Sequence, residues 1–156
     1  VRQALKVIHF IGLAMFLGSV FAHISVNAVP GVGTDPAATL TARQAIVAAT
    51  TWVTLPGLLL AIASGLGLTI LGGHGFGRTR WLTLHQAAAL LVLLNAVLVL
   101  APAGREAVEA ARSGSMETVA AAAAPEGRFG PVNLLLTLAA VVLAVAKPRL
   151  GQRREP

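Results

Sequence analysis

Four histidines, His9, His23, His74 and His85, are the side chains of this 156-residue sequence best suited to chemistry: it has no cysteine, and six carboxylates stand against twelve Lys and Arg. A neutral imidazole keeps one ring nitrogen as a lone-pair donor to a metal. His9 and His85 each fall just after the start of a long apolar run. Arg2 and Lys6 accompany the first, Arg78 and Arg80 the second. If both runs are membrane helices entered from the same side, the two imidazoles reach similar depth on different helices. That arrangement suits axial ligation of one haem iron inside a bundle. Zinc or copper usually wants three or four protein ligands, and no thiolate or carboxylate lies near these histidines within the apolar runs. The pattern therefore predicts haem b between His9 and His85, with Lys6, Arg78 and Arg80 placed to meet its propionates.

His23 is a third candidate ligand. It follows His9 by 14 residues, which returns to nearly the same helical face roughly 21 Å further along. The intervening face carries Gly12, Phe16 and Ser19. A partner for His23 at its own height would have to come from Asn133, since Asn95 lies deeper, or from another chain. His74, among glycines in a loop, reads as solvated.

The elements that must position these residues are set by hydropathy. The chain is 56% hydrophobic and 12% charged, with a mean hydropathy of +0.78, more apolar surface than so short a soluble domain could hide but suited to a bilayer. Four spans are predicted in a single domain over residues 1–156, at about 3–28, 41–71, 80–100 and 131–146. Pro30-Gly31 ends the first; Thr39 or Thr41 caps the second and Gly72-Gly73 closes it; Pro102 stops the third and Lys147-Pro148 the fourth. The alanine-rich stretch 103–130 reads as a short amphipathic helix outside the membrane. The first run resembles a signal peptide in its leading Arg2 and Lys6, but its length, two histidines and lack of a small-x-small cleavage site favour a retained helix. The fold class expected is an all-α integral membrane four-helix bundle.

Charge sets the orientation. Eight basic residues (Arg2, Lys6, Arg78, Arg80, Lys147, Arg149, Arg153, Arg154) and one acid share the side of both termini, whereas the other side has four bases and five acids. By the positive-inside rule the termini are cytoplasmic and the intervening helix is extracytoplasmic. The net charge of +6 is explained by these anchors; no basic run with interleaved aromatics points to nucleic acid. Gly57, Ala61 and Gly65 form a small-residue stripe suited to a close helix contact, within the chain or with a homo- or hetero-oligomeric partner. Pro56 should kink the second helix, Trp52 and Trp81 should anchor at opposite interfaces, and Asn95 should hydrogen-bond across the bundle. Phosphate loops, nucleophile elbows and zinc-protease helices are absent. No acidic residue falls inside a predicted span, which argues against a proton or cation transporter.

The segments "LKVIHFIGLAMFLGSVFAH", "LPGLLLAIASGLGL", "RWLTLHQAAALLVLLNAVLV" and "LAVAKP" resemble a family of small bacterial four-span membrane proteins of unassigned function. More distantly the chain is similar to the membrane domain of copper-resistance D proteins and to four-helix protoporphyrinogen oxidases. The last resemblance implies that His9 corresponds to a first-helix histidine tied to haem b and activity. That family tends to place a lysine early in its third helix, where this chain has His85.

The leading expectation is thus a haem b electron-transfer protein with bis-histidine ligation, exchanging electrons with a quinone or a partner redox subunit. A non-catalytic accessory or assembly subunit of a larger membrane complex is the alternative, and a porphyrinogen oxidase-like enzyme a further one. A copper-handling role lacks the methionine and cysteine clusters it would need.

Overall fold

The computed structural model describes residues 1–72 and 79–148. The described chain is helical throughout, in four long helices each long and apolar enough to cross a membrane: α1 (Arg2–Asn27), α2 (Pro36–Leu71), α3 (Arg80–Arg112) and α4 (Met116–Ala146). Helix α1 follows from an apolar run without proline, and its buried face is Gly12, Phe16 and Ser19, the stripe between the two histidines. A tight turn with Gly31 and Gly33 at positive φ reverses the chain.

Helix α2 begins before the expected Thr41. Asp35 caps it by accepting from the Ala37 N–H at 3.0 Å, and Pro36 occupies the first turn, where a missing N–H costs nothing. Thr39 is fully buried, and its hydroxyl accepts from the Gly33 N–H at 2.8 Å. Pro56 should clash with the carbonyl four residues back; a π-helical turn over Thr50–Thr54 precedes it, widening the helix at that point. Threonine hydroxyls cover carbonyls around this turn: Thr50 donates to Ile46 O, Thr51 to Val47 O and Thr54 to Ala49 O.

The same device overturns the expected stop at Pro102. A π-helical turn over Ala96–Leu100 places Pro102 in the first turn of a resumed α-helix, so α3 runs on to Arg112. Helix α4 likewise starts well before 131. Ser115 caps it through the Thr118 N–H, and residues 120–124 are all alanine, the best helix former. Pro125 and Pro131 sit inside the helix, leaving the carbonyls of Ala121 and Gly127 unpaired at exposed positions. The separate helix expected between the third and fourth spans is therefore absent: its residues extend α3 and begin α4. The fourth helix ends as expected at Lys147, whose φ is +44°, followed by Pro148.

At 1.5 Å per residue α2, α3 and α4 are roughly 54, 50 and 46 Å long, against about 30 Å of bilayer hydrocarbon. The surplus collects at one end, where α2 begins, α3 ends and α4 begins. There the three helices make a head with charged outer faces and a small-residue core including Ala42, Ala103, Ala107, Ala111 and Val119. Below it, Phe16, Leu58, Val92 and Ala96 form the membrane-level core, ringed by exposed Leu59, Ile70, Leu91, Leu98, Leu135 and Val142. Outward-facing apolar side chains of this kind are what lipid solvates. The chain is organised as two hairpins: α1 packs almost wholly on α2, α4 on α3, and the hairpins join mainly where the upper parts of α2 and α3 meet.

Candidate functional site

The small-residue stripe of α2 is occupied by α1 of the same chain. A Cβ on Gly12 would lie 2.6 Å from the Ala61 nitrogen and 2.7 Å from the Gly57 oxygen, and one on Gly57 would lie 2.7 Å from the Met15 Cβ. Backbones at this separation are possible only because these glycines carry no side chain. The close helix contact expected of this stripe is made within the chain, by α1.

The close approach positions His9. Its ring lies against Gly65, where a Cβ would be 3.2 Å from the imidazole Cε1, and its Nδ1 is 2.7 Å from Ala61 O. Ser64 Oγ is 3.3 Å from the same nitrogen, but its own proton goes to Leu60 O or Ala61 O. A carbonyl only accepts, so Nδ1 carries the proton and the neutral ring keeps its lone pair on Nε2. His85 repeats the arrangement in the second hairpin, with Nδ1 donating to Ala140 O at 2.9 Å. Each hairpin thus has one imidazole, early in its first helix, tied to a carbonyl of its second. Measured from the helix starts, His9 and His85 lie about 10 and 8 Å in. No hydrogen bond joins the two rings among the described residues, and the aromatic neighbour of His9 is Phe10, edge-on at 6.4 Å.

Lys6 and Arg80 are exposed at the same ends of α1 and α3, while Arg78 and His74 lie outside the described residues. Lys147 stacks its ammonium 5.9 Å over Trp81, which places a further cation beside the start of α3. Trp52 is exposed within the π-turn of α2. Asn95 does hydrogen-bond across the bundle, donating to Phe129 O at 3.0 Å and to Asn133 Oδ1 at 3.1 Å.

His23 lies elsewhere, and its surroundings were not evident from sequence. Thr54 gives its single proton to Ala49 O at 3.2 Å. With that proton so placed, the 2.6 Å contact between Ser19 Oγ and Thr54 Oγ1 is donated by Ser19. In that arrangement Ser19 accepts from His23 Nε2 at 3.4 Å, which is the opposite tautomer, with the lone pair on Nδ1. In the head, Arg43 and Glu126 pair at 2.6 Å with side chains only 12% and 21% exposed, joining α2 to α4 across Gly104. They are 83 residues apart, and no local pattern connects them.

Among the described residues no group of three or more His, Cys, Asp and Glu could hold a metal ion. A haem needs only two protein ligands because its macrocycle supplies the other four nitrogens, and two anchored imidazoles are of the right kind. No protein-family model, no curated protein and no solved structure matches the chain.

Proposed function

We propose that this chain is a haem b-binding electron-transfer protein of a bacterial inner membrane, its termini cytoplasmic and its three-helix head on the opposite side. His9 and His85 would hold the haem iron. The observation that carries this reading is the pair of Nδ1–H···O=C bonds to Ala61 and Ala140. Metal-ligating imidazoles are generally oriented in this way, with one nitrogen donating to a carbonyl so that the other presents its lone pair in a fixed direction. Lys6 and Arg80, exposed at the ends of α1 and α3, would be the cations that meet the propionates. A bound haem would supply one-electron chemistry, and with both imidazoles holding it that chemistry would be electron transfer. The residues of the chain hold and orient. Gly65 gives the His9 ring its room, Ala61 and Ala140 fix the tautomers, and the lipid-facing apolar side chains keep water away. Electrons pass to or from a quinone or a partner redox subunit.

The test is a reduced-minus-oxidised optical spectrum of protein purified in mild detergent after expression with ample haem. A low-spin b-type spectrum, lost in His9→Ala and in His85→Ala, supports the reading. A haem-free protein overturns it.

One observation favours a second reading, an accessory subunit without cofactor. The two imidazole bonds already tie each hairpin together, which is a sufficient structural task for both histidines. That reading predicts co-purifying partner chains and no Soret absorption.

A further inference from the structure

A cavity of about 170 Å³ lies between the upper halves of α1 and α2, the π-turn of α3 and the middle of α4. An apolar cavity of about 150 Å³ holds one benzene, so this space suits a single six-membered ring. Phe16, Val20, Leu55 and Leu100 give it apolar walls, and polar groups converge on it from two sides. On α1 stands His23, whose Nε2 lies 3.4 Å from Ser19 Oγ; with Thr54 donating to Ala49 O and Ser19 to Thr54, Nε2 carries the proton and Nδ1 is the acceptor. On α4 stands Asn133, whose Oδ1 accepts from Asn95, leaving its amide N–H groups as donors without a protein partner among the described residues. Glu126 lies on the same α4 wall, held by Arg43. Because α1 packs on α2 and α4 on α3, the side of the bundle between α1 and α4 is the open one. His23 is four residues from the end of α1, about 6 Å from it, at the depth of a membrane interface.

The geometry points to a binding site for the hydroquinone head group of a lipid-soluble quinol. One ring hydroxyl donates to His23 Nδ1, the oxygen across the ring accepts from Asn133, and the tail leaves between α1 and α4 into lipid. An acceptor nitrogen at His23 selects a ligand that brings a proton, so the hydroquinone binds more tightly than the quinone. This deepens the electron-transfer reading by giving its lipid-soluble partner a place, but it uses neither His9 nor His85, and its test needs no haem.

The full chain in nanodiscs is titrated anaerobically with a decyl-tailed benzoquinol, its quinone and decylbenzene, with empty nanodiscs as the blank. Saturable binding of one quinol per chain is expected, with the quinone about tenfold weaker, the worth of one hydrogen bond of 1.4 kcal/mol. His23→Leu should bring quinol and quinone to equal affinity. Gly130 lines the cavity, and a Cβ there meets nothing within 4 Å. A leucine before a proline is already accommodated at Leu55-Pro56, so Gly130→Leu should fill the space and abolish binding with an unchanged melting curve. Three results would each overturn the proposal: no saturable binding above the blank, decylbenzene binding as tightly as the quinol, or undiminished binding in a folded Gly130→Leu. The first two leave the haem spectrum untouched as a separate question.

Discussion

A single added methyl group at Gly12 should do more damage than its size suggests. An alanine Cβ there would lie 2.6 Å from the Ala61 nitrogen and 2.7 Å from the Gly57 oxygen. Both are backbone atoms in the middle of α2, so no side-chain rotation relieves the clash and the helices must part. Restoring even a tight contact near 3.4 Å requires about 0.8 Å of separation. His9, one turn before Gly12 on the same face, moves with α1. Its 2.7 Å bond to Ala61 O would stretch to about 3.5 Å, beyond useful hydrogen-bond range. Overpacking costs typically about 1–3 kcal/mol, and the lost bond adds about 0.6 kcal/mol or more in a membrane, so Gly12→Ala should lose about 2–4 kcal/mol. Gly18 is the control: it is on the same helix, exposed, with nothing within 4 Å of an added Cβ, and Gly18→Ala should be neutral or stabilising by up to about 1 kcal/mol. Unfolding is followed by circular dichroism in mixed micelles with increasing denaturing detergent. Equal stability of the two variants would refute the close α1–α2 contact and with it the placement of His9.

Other consequences follow from the same contacts. Removing the carboxylate with Glu126→Ala strands the Arg43 guanidinium, whose Nε is buried and already lacks a partner. A loss of about 2–3 kcal/mol is expected, below the 3–5 of wholly buried pairs, and a double-mutant cycle with Arg43→Met should recover most of it. Deleting Thr51 removes the extra residue of the first π-turn. Alone it forces Pro56 into an ordinary α-helix at about 3 kcal/mol, whereas combined with Pro56→Ala it should restore a regular helix in register at much smaller cost, as read by the same unfolding assay. Because the chain has no cysteine, single introductions report topology. Ser113→Cys, in the turn of the head, should react with an impermeant maleimide on intact cells, and Thr79→Cys only after permeabilisation. The reverse pattern would invert the orientation.

Where the sequence was read correctly, the cause was local. Helix α1 is an uninterrupted apolar run, and its small face at Gly12, Phe16 and Ser19 is the face that packs. Gly72 and Lys147-Pro148 stop helices in the ordinary way. The misreadings came from proline. Pro102 and Pro131 look like helix boundaries in one dimension, yet a π-turn absorbs the first, and the second falls where the carbonyl it orphans is exposed. At the start of α2 Thr39 resembles a cap, but Asp35-Pro36 is the stronger signal and Thr39 serves the turn before it. Pairings made only by tertiary structure left no trace at all. Arg43 with Glu126, His85 with the Ala140 carbonyl, and the relay from His23 through Ser19 to Thr54 join residues whose types alone name no partner. The histidines were recognisable as costly in a membrane; which nitrogen each leaves free depends on a carbonyl or hydroxyl of another helix.

The most direct measurement is electron paramagnetic resonance of the oxidised, haem-loaded full chain. If both imidazoles present Nε2 to one iron, the wild-type signal is low-spin, and either His9→Ala or His85→Ala converts it to high-spin. A high-spin signal in the wild type, or a low-spin signal that survives both substitutions, would contradict the assignment of these two residues as the axial pair.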